Sequence, residues 1–224
     1  PTNGTVYAEG LHSLMELSHD LGKMEAEGVS FLLGVIPRMM VAQAREIAVE
    51  KALELNCDYI FFVDDDMIVP RDLVKRLLSH NKDIVGAMSF ERLGLHYPNI
   101  YDIHSVEKTG EGENVTGSAK WRNILDYKDR ANENGLLSVD VLGFGCCLIN
   151  TRIFKGDNAM KPPYFMSQFN CGEDFFFCWK AKDKGLEVWA DCHPAWQLGH
   201  ISDPGIITRE THELAMKMKN ANNS

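Results

Sequence analysis

Three consecutive carboxylates, Asp64, Asp65 and Asp66, follow the apolar run Tyr-Ile-Phe-Phe-Val at 59–63. Side by side they repel one another and lose hydration unless a cation sits among them. On an extended backbone Asp64 and Asp66 point one way and Asp65 the other, so the chemical unit is Asp-x-Asp at the C-terminal end of a strand. Open α/β sheets bind ligands at that edge. Oxygen donors without Cys or His suit Mg²⁺ or Mn²⁺ carrying a phosphate. A single Asp there would read as a polar turn capping the strand. Three of them behind Phe-Phe-Val favour the metal–phosphate reading.

Four further groups carry chemistry. Cys171-Gly172-Glu173-Asp174 runs into the aromatic stretch Phe175-Phe176-Phe177-Cys178-Trp179. Acids at a helix start complement the dipole, and the same placement fixes a general base on a rigid element. His200, in Gln197-Leu198-Gly199-His200-Ile201, is a candidate third ligand for the Asp-x-Asp site, with His193 as its competitor. Arg45 falls on or beside an apolar helical stripe, where a lone guanidinium needs an anion, either an internal carboxylate or a diphosphate. Gly143-Phe144-Gly145 permits a bulge or close approach of a ligand to the backbone, and lacks the rest of a dinucleotide fingerprint.

The elements that must position these groups alternate. Apolar residues at helical spacing over 9–27 end at Gly28. Val29–Val35 reads as a short strand, Pro37 opens a helix through Asn56, 59–63 is a strand, Pro70 opens a helix to His80, and Asp83–Ser89 is a strand again. This βαβ order predicts a three-layer α/β/α domain with a mostly parallel central sheet. Residues 110–135 are polar and aperiodic and read as a long surface loop or mobile flap. Strand character returns at 136–142 and 146–149, Gly172 precedes a helix to about Lys184, 186–190 is a closing strand, and 209–219 is a terminal helix. The expected organisation is a single domain: a nucleotide-binding half at 1–90, a loop-rich insertion at 91–135 and an acceptor or catalytic half at 136–224.

Composition narrows the classes. The chain has 224 residues, 45% hydrophobic and 25% charged, with a net charge of −9, which argues against a nucleic-acid surface. No run approaches the ~20 apolar residues that span a bilayer, and no basic start with an apolar core marks a signal peptide. The six cysteines form no Cys-x-x-Cys pair, and four of them, Cys57, Cys146, Cys147 and Cys178, lie in or beside apolar runs. They read as reduced residues of a cytoplasmic protein. The chain opens on Pro1 rather than Met, which fits a trimmed protein or a fragment.

Arg45, then Val63-Asp64-Asp65-Asp66, Gly143-Phe144-Gly145, Gly172-Glu173-Asp174 and Gly199-His200, in that order, resemble a nucleotide-sugar glycosyltransferase of the GT-A fold, most similar to family 2. The resemblance covers roughly residues 38–202. It implies that Asp64 and Asp66, with His200 as a third ligand, hold Mn²⁺ or Mg²⁺ against the diphosphate of a UDP- or GDP-linked sugar. It implies that Asp174, aided by Glu173, deprotonates a saccharide or other hydroxyl acceptor, giving inversion. The donor site it implies takes in Pro1, Thr2, Arg45, Asp64, Asp65, Gly143 and Gly145. Family members begin with an apolar strand that this sequence does not show, so Pro1 and Thr2 stand for the loop after it. A nucleotidyltransferase would use similar acids but needs a basic Gly-rich loop near its start, and Pro1–Gly10 has no Lys or Arg. A non-catalytic nucleotide-sugar or carbohydrate-binding protein would keep the metal site without needing Asp174.

Overall fold

The computed structural model describes residues 7–37, 39–109, 116–167, 171–193, 198–202 and 205–222. Helix α1 (Ala8–Met24) runs into a 3-10 turn that stops at Gly28, whose φ of 87° is the left-handed conformation glycine adopts without strain. Then come α2 (Val41–Glu54), β1 (Tyr59–Val63), β2 (Met67–Ile68), α3 (Leu73–Ser79) and β3 (Ile84–Ala87). A long hairpin, β4 (Ile100–Thr109) and β5 (Thr116–Asn123), is followed by α4 (Tyr127–Arg130), β6 (Leu136–Val139), β7 (Val141–Leu142) and β8 (Cys146–Asn150). The chain closes with α5 (Glu173–Asp183), β9 (Val188–Asp191), β10 (Gly199–Ile201), β11 (Ile206–Ile207) and α6 (Arg209–Asn222).

The central sheet has the order β1-β8-β3-β9-β6. Side-chain alternation sends its apolar residues to both faces. Ile60, Phe62, Ile84, Cys147 and Ile149 pack with Val49 and Ala52 of α2 and with Phe177, Cys178 and Ala181 of α5. Val85, Ala87, Cys146 and Leu148 pack with Leu17 of α1 and Leu73, Val74 and Leu77 of α3. Helices therefore cover both faces, and the three-layer expectation holds.

The mostly parallel expectation does not. β8 inserts between β1 and β3 and runs antiparallel to both, and β6 runs antiparallel to β9. Among these pairs β3–β9 is parallel. β1, β3 and β9 still share a direction, so their C-terminal ends lie at one edge of the sheet. Alternation in sequence reports which face a residue takes, and says nothing about which way the next strand runs.

Two local readings also change. Val29–Val35 forms no strand, and Leu32, Leu33 and Val35 are 73%, 75% and 69% exposed. An apolar run becomes a strand only where a neighbour supplies ladder hydrogen bonds, and among the described residues the central sheet ends at β1. The supposed loop at 110–135 is in good part ordered: β5 pairs with β4 from Tyr101↔Asn123 to Thr109↔Thr116, and α4 follows, while residues 110–115 lie outside the described part.

Gly86 lets β8 pass. A Cβ there would stand 2.5 Å from the Cys146 carbonyl oxygen and 2.5 Å from Leu142 Cδ2. Gly86→Ala is expected to cost about 1–3 kcal/mol as an overpacked core position, read as a lower urea midpoint at unchanged slope. A midpoint equal to wild type would mean that the β3–β8 contact is not this close.

Candidate active site at the sheet edge

The strand ends before the acids. Asp64 to Met67 form a turn, with the Met67 N–H donating to the Asp64 carbonyl at 3.2 Å, and the Asp64 N–H donating to the Gly145 carbonyl at 3.0 Å. The turn separates the two carboxylates of the Asp-x-Asp unit, and each meets a different partner.

Asp64 faces Arg45, which donates from Nη2 to its two oxygens at 2.9 and 3.1 Å and from Nη1 to Glu173 Oε1 at 2.5 Å. The Arg45 side chain is 3% exposed. It lies near the rings of Phe144 and Phe62, with its guanidinium carbon 5.4 and 5.9 Å from their centroids, and its Nε is buried without a partner among the described residues. Burial disfavours its charge, but Asp64, Glu173 and Asp174 together hold it firmly protonated. The anion that Arg45 needed is thus a pair of internal carboxylates. Asp64 itself is pushed up by burial, with Arg45 opposing and Asp66 adding to the rise.

Asp66 meets its partners on β10 and in the loop after β3. Its Oδ2 is 3.4 Å from His200 Nε2 and accepts from Arg92 Nη1 at 2.9 Å. Burial works against its charge, yet His200 and Arg92 hold its carboxyl below the usual range. β10 pairs with β2 in the register His200↔Met67, which carries the histidine to the turn. His200 Nδ1 lies 2.8 Å from the Phe90 carbonyl oxygen. A carbonyl only accepts, so Nδ1 carries a proton, and Nε2 either donates to Asp66 or, without a proton, faces it as a second acceptor. Two acceptors facing each other need a proton or a metal ion between them. A backbone carbonyl behind a histidine is also the usual way of orienting a metal-ligating ring. Among the described residues no group of three or more His, Cys, Asp or Glu side chains stands together as a metal cluster. Asp66 and His200 are a two-donor start that fits a divalent cation, with Asp64 beside them engaged by Arg45.

Asp174 opens α5. Its Oδ1 accepts from the Phe175 N–H at 2.8 Å. Burial first, and the neighbouring Glu173 second, push its carboxyl up to about 6, against the pull of Arg45; Asp64 adds to the rise. A carboxyl held in that range can take up and release a proton near neutral pH.

The glycines meet protein atoms. A Cβ at Gly143 would stand 3.0 Å from Asn99 Cβ, and one at Gly145 would stand 3.1 Å from Met67 Sδ, while Phe144 between them is buried. Asp65 lies in the same turn, its carbonyl oxygen 3.3 Å from where a Gly10 Cβ would be. Pro1 and Thr2 lie outside the described residues. His193, the rival to His200, sits beyond β9, where its N–H donates to Asp191 Oδ1 at 3.0 Å. Arg92 and its neighbour Glu91 escaped the sequence reading. They lie in an aperiodic stretch, and the one available signal was a charged pair just past the apolar strand 84–87.

No protein-family model matches the chain, and no curated protein matches it. Among solved structures, A197 from STIV is similar over 93% of this chain and 87% of its own, with 17% identity and a TM-score of 0.56. GalNAc-T7 with UDP, GalNAc and Mn²⁺ aligns over 90% of this chain and 37% of its own, at 16% identity and a TM-score of 0.46. Apo UDP-glucose pyrophosphorylase aligns over 85% and 64%, at 8% identity and a TM-score of 0.41. The chain is a mixed α/β protein that shares its fold with A197. Among the described residues no helix is long and apolar enough to cross a membrane.

Proposed function

We propose that this chain is a glycosyltransferase of GT-A type, close to family 2. It moves a sugar from a UDP- or GDP-linked donor to a hydroxyl acceptor, with inversion. One observation carries the reading: Asp66 and His200, from distant parts of the sequence, face each other at 3.4 Å with the other ring nitrogen anchored on a carbonyl. Asp174 lies within electrostatic reach of Arg45 and Asp64.

Asp66 and His200, with Asp64, would hold Mn²⁺ or Mg²⁺, which supplies Lewis-acid neutralisation of the leaving diphosphate. The chain's own residues do the rest. Arg45 fixes the positions of Asp64 and Glu173 and is a positioning residue. Asp174 accepts the acceptor's hydroxyl proton as the new C–O bond forms on one face of the anomeric carbon. The bond to the diphosphate breaks on the other face, its electron pair leaving with the diphosphate. Arg92, tied to Asp66 by one nitrogen, places a second cation beside the phosphate position.

The test is a donor-binding titration with UDP and GDP, with and without Mn²⁺, on wild type and His200→Ala. Metal-dependent affinity that falls at least about tenfold in the variant is expected. Equal nucleotide affinity with and without metal, in both proteins, would remove the metal–diphosphate site.

A further inference from the structure

The hairpin β4–β5 presents one face to the head of α5. Cross-strand pairs Tyr101↔Asn123 and Ile103↔Trp121 put these four side chains on that face, since residues two apart share a side. Phe175, the residue after Asp174, sits between two of them: its ring centroid is 4.9 Å from that of Tyr101 and 4.9 Å from that of Trp121. Tyr101 is buried, whereas Trp121 keeps 37% of its surface in solvent. Polar groups edge the same wall. The Tyr101 hydroxyl lies 3.1 Å from both Glu91 Oε1 and Asn99 Oδ1, and Asn123 Nδ2 donates to Glu91 Oε1 at 2.8 Å. Among the described residues two of these contacts converge on Oε1 of Glu91, which leaves Oε2 to accept from another hydroxyl.

A half-exposed indole backed by a second aromatic ring and edged by a carboxylate and amides matches an amphipathic ring. A pyranose has that character: its C–H face packs on an aromatic plane, and its rim of hydroxyls needs short, fixed hydrogen-bonding partners. A protein partner would call for a broader apolar patch. The wall stands beside Asp174, whose charge reaches the Tyr101 hydroxyl. The donor's metal-binding pair, Asp66 and His200, belongs to the turn after β1 and to β10.

We infer that the acceptor is a saccharide, seated with one ring on Trp121 and Phe175 and with hydroxyls on Glu91 and Asn123, so that its nucleophilic hydroxyl meets Asp174. This deepens the transferase reading and rests on it. Trp121 is then the residue that selects a sugar ring over a simple alcohol.

The experiment is binding of a glycan array of mono- to tetrasaccharides, in UDP and Mn²⁺, by wild type, Trp121→Ala and Trp121→Phe. UDP and GDP titrations run in parallel, and melting curves check folding. At least one glycan class should bind wild type. Its affinity should fall about tenfold in Trp121→Ala and less than about threefold in Trp121→Phe, while nucleotide affinity moves less than about twofold. The phenylalanine variant keeps the test valid if the alanine variant unfolds. Absence of glycan binding to wild type, or glycan affinity indifferent to Trp121, overturns the proposal. So does a Trp121 effect on UDP or GDP instead, since the ring would then stack a nucleobase. Glycan binding that depends on Trp121, in a protein that leaves every nucleotide sugar intact, supports the saccharide platform and strikes the transfer reading alone.

Discussion

Asp174→Asn is expected to remove most transferase activity and, at neutral pH, to make the protein more stable. The loss follows from the base: removing a positioned carboxylate typically costs ~10²–10⁴-fold in rate. The gain follows from linkage. The carboxyl is raised from 3.8 to about 6 by burial and by Glu173. Below pH ~4 the group is protonated in both folded and unfolded chains and contributes nothing to the difference. As pH rises past 4 the unfolded chain ionises while the folded one still holds its proton, so stability falls, and the cost is complete above about 6 to 7. A tenfold change in proton affinity corresponds to about 1.36 kcal/mol, so the cost has an upper bound of about 3 kcal/mol. Asn is neutral at every pH, and its Oδ1 still accepts from the Phe175 N–H. Wild type and variant should therefore have similar urea midpoints at pH 4, with the variant ahead at pH 8. Over the same range wild-type kcat/KM should rise with an acid limb near 6. A variant that transfers sugar at near-wild-type rate ends the base assignment. One that is inactive but no more stable at pH 8 shows that Asp174 is not held in a desolvated, acid-crowded place.

What the sequence made legible was local. Tyr59–Val63 is a strand of the length read from its apolar run, because five β-branched and aromatic residues bounded by polar ones leave little choice. Gly172 does precede α5, and Arg45 does sit on a buried helix face needing an anion. The sequence offered His200 as a candidate third ligand beside His193, and only the family resemblance favoured it, since no spacing rule connects residues so far apart. Pairing direction was not legible: Cys146–Asn150 reads as a strand by composition, but nothing in it says that it will wedge between β1 and β3. The hairpin β4–β5 was hidden because its strands are polar, charged and rich in small residues, so period-2 alternation of apolar residues is nearly absent. Glu91, Arg92 and Trp121 were missed for the same reason. They owe their place at the site to that hairpin and to the loop before it.

Arg45→Met should be the most destabilising single change at the site. It removes one buried charge and leaves Asp64 and Glu173, whose side chains are 28% and 17% exposed, facing each other without a cation. Breaking a buried ion pair from one side typically costs about 3–5 kcal/mol, because the remaining charge stays desolvated. The deficit should depend on pH in a stated direction. Arg45 pulls both Asp64 and Asp174 downward, so without it both carboxyls rise further, Asp174 beyond about 6. Carboxyls that hold their protons more tightly when folded favour the folded chain as pH falls, so the variant should sit furthest below wild type at pH 8 and recover part of the gap at pH 5. Any residual activity should show its acid limb displaced to higher pH. Arg45→Lys keeps a charge but cannot span two carboxylates with one planar fork, so it should fall between the two. Adding Glu173→Gln to Arg45→Met removes one orphaned charge and should return stability, a coupling that a double-mutant cycle measures directly. If the deficit were the same at pH 5 and pH 8, and Glu173→Gln returned nothing, Arg45 would be acting through its packing on Phe62 and Phe144. Its charge would then not be what sets the carboxylates, and the rise of Asp174 would stand on burial and Glu173 with no opposing pull from Arg45.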